Sequence, residues 1–87
     1  MRRARLEVLK DILDVGKNPS TKTSIVYKAN LSFEQAKKYL EMLKEDDLME
    51  THKSSHEKYE TTEKGKDFLK NFEELEGLLP TMQTDAH

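Results

Sequence analysis

The chain contains no cysteine, which excludes disulfide staples, Cys-based zinc sites and thiol chemistry. It also lacks any apolar run near the roughly 20 residues that a membrane helix needs. No Gly-rich phosphate loop is present, and no Ser/His/Asp group is placed as a triad. Catalysis is therefore not expected, and the chain is not read as an enzyme. The start, Met1-Arg2-Arg3-Ala4-Arg5, is basic, but Glu7, Lys10, Asp11 and Asp14 interrupt the stretch after it. No apolar signal core forms, so a soluble cytoplasmic protein is expected, in which the Asn30-Leu31-Ser32 sequon is inert.

What is present is charge. Of 87 residues, 37% are charged and 34% hydrophobic, with 15 Lys+Arg against 17 Asp+Glu. This suits one small domain with a modest core. A domain of this size buries only about 60% of the surface that its unfolded chain exposes, so its stability is marginal. The charge is uneven. Residues 1–30 hold seven basic and three acidic side chains, and the two later thirds are each net acidic. Nucleic-acid binding depends on such a local basic face rather than on the total.

Apolar residues Leu6, Val8, Leu9, Ile12, Leu13 and Val15 recur at helical steps, predicting a first helix over about 3–15. Gly16 is read as its stop through the C′ conformation that glycine tolerates, and Pro19 as part of a turn. Ser20 or Thr21 is expected to cap a short second helix carrying Ile25, Val26 and Ala29 on one face and ending near Asn30. Ser32-Phe33-Glu34-Gln35 reads as a capping box. It opens a third helix to about Glu45, with Ala36, Leu40 and Leu43 inward. Two helices joined by about three residues, the second amphipathic, form a helix-turn-helix arrangement. Residues 48–53 and 57–61 then alternate around a polar turn, predicting a hairpin. Thr61 or Thr62 is expected to cap a last helix to about Leu79, closed by Pro80. Residues 80–87 are expected to be frayed.

The stretches Lys22-Thr23-Ser24-Ile25-Val26-Tyr27-Lys28-Ala29-Asn30-Leu31-Ser32, Ala36-Lys37-Lys38-Tyr39-Leu40 and Tyr59-Glu60-Thr61-Thr62-Glu63-Lys64-Gly65 resemble the archaeal winged helix-turn-helix family of DNA-binding transcriptional regulators. That family includes small chromatin-associated proteins of thermoacidophiles. The resemblance covers about residues 3–79. It implies an α+β fold of three helices and a two-stranded wing hairpin over 1–61. A dimerisation helix comes next over 62–79, paired in an antiparallel coiled coil, and then a tail over 80–87. The chain departs from the pattern at Asp46-Asp47, where family members often have glycine.

The resemblance implies a nucleoid-associated homodimer that binds double-stranded DNA without a cofactor. Its third helix would enter the major groove. Ser32, Gln35 and Lys38 are candidate base or backbone contacts, and Lys37 a phosphate contact. The alternative for that face is a solvated surface with pairs such as Lys37–Glu41. Thr21, Lys22 and Thr23 open the second helix, where free N–H groups attract phosphate. Lys53, Ser54, Ser55 and Lys58 belong to the wing. Phe68, Phe72, Leu75 and Leu79 recur at i, i+4, i+7 and i+11, and are assigned to the dimer seam. His52 and His56 straddle a turn with only Glu50 or Glu57 beside them, so no metal site is expected. A winged helix that docks on protein rather than DNA is the alternative function. No small-molecule ligand is indicated.

Overall fold

The computed structural model describes residues 4–53 and 55–78. It contains α1 (Arg5–Val15), α2 (Lys22–Ala29), α3 (Phe33–Glu45), β1 (Met49–Lys53), β2 (Glu57–Thr61) and α4 (Glu63–Leu78). The Leu79 end of the expected last helix and the expected frayed tail lie outside the described residues, as do Ser54, Arg2 and Arg3. The element order is that of an α+β winged helix, as the resemblance implies. None of the described helices is long and apolar enough to cross a membrane.

Helix ends follow from local chemistry. Thr21, not Ser20, caps α2, its hydroxyl accepting from Ser24 N at 3.2 Å. At α3 the capping box is complete: Ser32 Oγ accepts from Gln35 N, and Gln35 Oε1 accepts from Ser32 N. Both helices end alike. Asn30 and Asp47 adopt left-handed φ of 58° and 61°. The N–H groups of Leu31 and Leu48 then return to the carbonyls of Val26 and Leu43, at 2.9 and 2.8 Å. These are Schellman closures, in which a left-handed residue lets late N–H groups satisfy carbonyls of the last turn. Asp47 fills the left-handed position without glycine.

Gly16 differs from its expected role. Its φ is −74°, an ordinary right-handed value. What fixes it is space: a Cβ there would overlap Met49 Cε and stand 2.7 Å from Thr61 Oγ1. Ser20 also departs from expectation. It forms an isolated bridge with Tyr59, donating N–H to the Tyr59 carbonyl at 2.9 Å and accepting from Tyr59 N at 2.7 Å. The segment before α2 is thereby fastened to the hairpin.

β1 and β2 pair antiparallel, with Met49 opposite Thr61, Glu50 opposite Glu60 and Thr51 opposite Tyr59. Met49, Tyr59 and Thr61 turn inward and are buried. Met49 and Tyr59 join Ile12, Leu13, Ile25, Leu40, Leu43 and Leu69 in one core built from every element. A two-stranded hairpin is marginal by itself, and this shared core holds it.

The Thr61-Thr62-Glu63-Lys64-Gly65 stretch ties three elements together. Thr61 Oγ1 donates to the Leu13 carbonyl and Thr61 N to the Gly16 carbonyl, both at the end of α1. Thr62 Oγ1 donates to the Asp47 carbonyl and accepts from Gly65 N, capping α4. Lys64 Nζ donates to the Asp46 carbonyl. Carbonyls left over at helix ends thus find donors in a single segment.

α4 lies along α1. Leu69 and Phe72 are buried, and Phe68 packs against the core and stacks on Phe72. Lys10 sits 5.6 Å from the Phe72 ring centroid and pairs with Glu76 at 3.0 Å. The hydrogen bond to Glu76 is the main cause of a raised Lys10 pKa. That stabilisation is therefore present throughout the neutral range and is lost only above the ordinary lysine pKa.

Candidate nucleic-acid interface

α2 and α3 meet across a left-handed corner, and the hairpin folds beside them. Between them lies a trough made of two adjoining depressions that share Lys22, Glu57 and Tyr59. At one end Thr21, Lys22 and Thr23, in the first turn of α2, face His56, Glu57 and Tyr59. At the other end Lys22, Glu57 and Tyr59 adjoin Lys37, Leu40, Glu41 and Lys44 of α3. The inward stripe of Ala36, Leu40 and Leu43 fixes the rotation of α3. Helical geometry then aims Lys37, Glu41 and Lys44 at the trough and turns Lys38 further outward. Lys38 shares a second depression with Glu41, Met42, Lys44 and Glu45.

Lys10, Lys17 and Lys66 pair with Glu76, Asp14 and Glu63. Lys22, Lys28, Lys37, Lys38, Lys44, Lys53 and Lys58 of α2, α3 and the hairpin make no ion pair among the described residues, and neither do Lys64 and Lys70 of α4. The Lys37–Glu41 pair considered from sequence is not formed. Glu41 and Glu57 nevertheless line the trough, so the surface is mixed. Burial, reinforced by the charges of Glu57 and Glu41, raises the pKa of Tyr59 at its floor.

The sequence-derived candidates do not all converge. Thr21, Lys22, Thr23 and Lys37 share the trough, with Lys38 on the adjoining surface. Ser32 and Gln35 are exposed but engaged with each other in the capping box, which uses Ser32 Oγ and Gln35 Oε1. Lys53, Ser55 and Lys58 are exposed on the hairpin, while Ser54 lies outside the described residues. Lys44, Glu57 and Tyr59 belong to the trough but were not among the sequence candidates. Only the packing of β2 on α2, and of α2 on α3, brings them together there. Two bare aromatic rings were also missed: Phe33, the first residue of α3, is 56% exposed, and Tyr27 is 87% exposed. Their signal was legible, because both fall off the inward stripes.

Of the assigned dimer seam, Phe72 is 7% exposed and already buried by its own chain, with Phe68 beside it. The apolar surface left bare on α4 is Leu75 at 46% and Leu78 at 76%. Leu79 lies outside the described residues.

A helix-turn-helix whose second helix is boxed at its start, with a hairpin packed beside it on a shared core, defines a winged helix-turn-helix domain. The chain belongs to the winged helix-turn-helix family, which it matches over residues 2–79. It is similar to Sso10a-2, a DNA-binding protein from Sulfolobus solfataricus. The two are 26% identical with a TM-score of 0.83, over 94% of this chain and 87% of that one. It is also similar in fold to a mutant of Lactococcus lactis ZitR, with a TM-score of 0.63 and 17% identity over 97% of this chain and 72% of that one. Wild-type ZitR in complex with DNA gives a TM-score of 0.57 and 18% identity, over 90% of this chain and 65% of that one. No curated protein matches the chain.

Proposed function

We propose that the protein binds double-stranded DNA as a non-catalytic homodimer, in the role of a cytoplasmic, nucleoid-associated regulator or chromatin protein. The observation that carries this reading is that Lys22, Lys37 and Lys44 line one depression between α2, α3 and the hairpin and make no ion pair among the described residues. The relative described as a DNA-binding protein supports it. In this reading α3 enters the major groove. Lys22 and the first turn of α2 meet phosphate, and Lys53 and Lys58 bring the hairpin to the backbone. Lys38 points outward to a base edge or phosphate, and the Phe33 ring suits a thymine methyl group. The division into a DNA-binding part over 1–61 and a dimerising helix over 62–79 belongs to the same proposal, with the first half of α4 also completing the core.

The test is fluorescence anisotropy with generic duplex DNA across a range of salt. Counterion release predicts a steep loss of affinity with salt. Glu41 and Glu57 in the trough favour the second reading, a winged helix that docks on protein, and absence of binding at low salt would overturn the DNA reading in its favour. For the dimer, Leu75→Lys with Leu78→Lys is expected to convert a dimeric mass in solution to a monomeric one. The surface they would leave bare in a monomer is an apolar patch that association buries. A wild-type chain of monomeric mass would remove the dimer from the proposal.

A further inference from the structure

The outer face of the hairpin holds an arrangement that DNA binding does not explain. Inward positions of β1 and β2 go to the core, so Glu50, His52, Lys58 and Glu60 share the opposite face. Glu50 and Glu60 are direct register partners. Like charges opposite each other across an antiparallel pair are destabilising. Both carboxylates turn toward one atom: His52 Nε2 lies 2.9 Å from Glu60 Oε1 and 3.6 Å from Glu50 Oε2. A ring nitrogen carries at most one hydrogen, so it serves Glu60 and leaves Glu50 beyond hydrogen-bond distance.

One imidazole and two carboxylate donors lie within 4.8 Å of one another. Ligand atoms around a tetrahedral zinc ion, with bonds of about 2.0–2.2 Å, stand roughly 3.4 Å apart. The two distances from His52 bracket that value. We propose that Glu50, His52 and Glu60 form a binding site for a divalent first-row transition ion of the zinc class, completed by water. The mixed nitrogen and oxygen donors select this class over magnesium and calcium, which take oxygen ligands. The ion cancels the charge of both carboxylates and removes their opposition. Lys58, opposite His52 on the same face, is an adverse charge that holds the affinity down. The site has a regulatory consequence, which rests on the DNA-binding reading. An occupied hairpin presents Lys58 to phosphate without two competing anions on its face, so the metal strengthens duplex binding.

The test begins without DNA. Zinc chloride is titrated into the full chain while the imidazole signals of His52, His56 and His87 are followed by NMR. One saturable site that moves His52 and leaves His56 and His87 in place is expected. Magnesium at the same concentrations is expected to move none of them. His52→Ala, Glu50→Gln and Glu60→Gln should each weaken zinc binding at least about tenfold, the lower bound for losing even an outer partner of a ligand. All three positions are on the surface, and circular dichroism confirms that the variants fold. No saturable response at His52, an equal response to magnesium, or unchanged affinity in His52→Ala would overturn the site. In a second arm, zinc should tighten duplex binding by the wild-type chain several-fold and leave His52→Ala unmoved. Zinc binding with unchanged DNA affinity would sink the coupling alone. A chain that binds no DNA would sink the functional reading, while the zinc titration still decides the site.

Discussion

Replacing Lys22, Lys37 and Lys44 together by alanine is expected to strip most of the duplex affinity and flatten its dependence on salt. Each lysine that meets a phosphate contributes roughly 0.9 to the slope of log affinity against log salt, so three contribute nearly 3 per chain and a dimer twice that. These three cations line one trough and make no ion pair with the described residues. Their loss therefore leaves the fold intact, with a stability change within about 0.5 kcal/mol, as for other surface substitutions. Glu41→Gln with Glu57→Gln should act in the opposite direction, since both carboxylates stand where phosphate would approach. Anisotropy over a salt series measures both variants. An unchanged slope in the triple variant would place the DNA elsewhere, and weaker binding by the glutamine pair would show that the carboxylates contact bases rather than repel phosphate.

How much of this was legible in the sequence depends on the range of the interaction. The Ser32 capping box, the Asn30 exit and the inward stripe of α3 are decided within a few residues, and the structure has them where expected. Gly16 was placed as a helix stop for the wrong reason. Its need for a bare Cα comes from Met49 and Thr61, which lie far along the chain. The bridge between Ser20 and Tyr59 is equally non-local, and no hydroxyl before a helix announces whether it will cap or pair. The apolar period of α4 was plain, but a period does not say what covers it. Phe68 and Phe72 meet the chain's own core, and Leu75 and Leu78 are left to solvent or a partner. At the hairpin, reading His52 with His56 looked along one segment. The register instead sets His52 beside Glu60 on the other strand, and cross-strand neighbours are set by a turn geometry that sequence spacing does not fix.

Two glycines of the same helix are expected to respond in opposite directions to the same substitution. In the middle of a helix, alanine is favoured over glycine by about 1 kcal/mol, chiefly because glycine loses more backbone freedom on folding. Gly77 lies near the end of α4 with nothing within 4 Å of an added Cβ, so Gly77→Ala should gain up to that amount. At Gly65 the same gain is opposed by contact. A Cβ there would overlap the Leu48 carbonyl oxygen and stand 2.6 Å from Thr61 Cγ2. Neither neighbour can yield cheaply. Leu48 O is backbone and already accepts from Thr62 N at 3.0 Å, and Thr61 is fixed through its own hydroxyl to Leu13. Pushing α4 away to make room would loosen Leu69 and Phe72 from the core and draw Lys64 off the end of α3. Overpacking of this kind costs about 1–3 kcal/mol or more. In a domain of this size each kcal/mol moves the midpoint by about 4–8 °C. Gly65→Ala should therefore melt well below the wild type and Gly77→Ala slightly above it, by circular dichroism at equal concentration. Equal midpoints for the two would show that α4 slides freely over the α3–β1 corner, and the close seat assigned to Gly65 would be wrong.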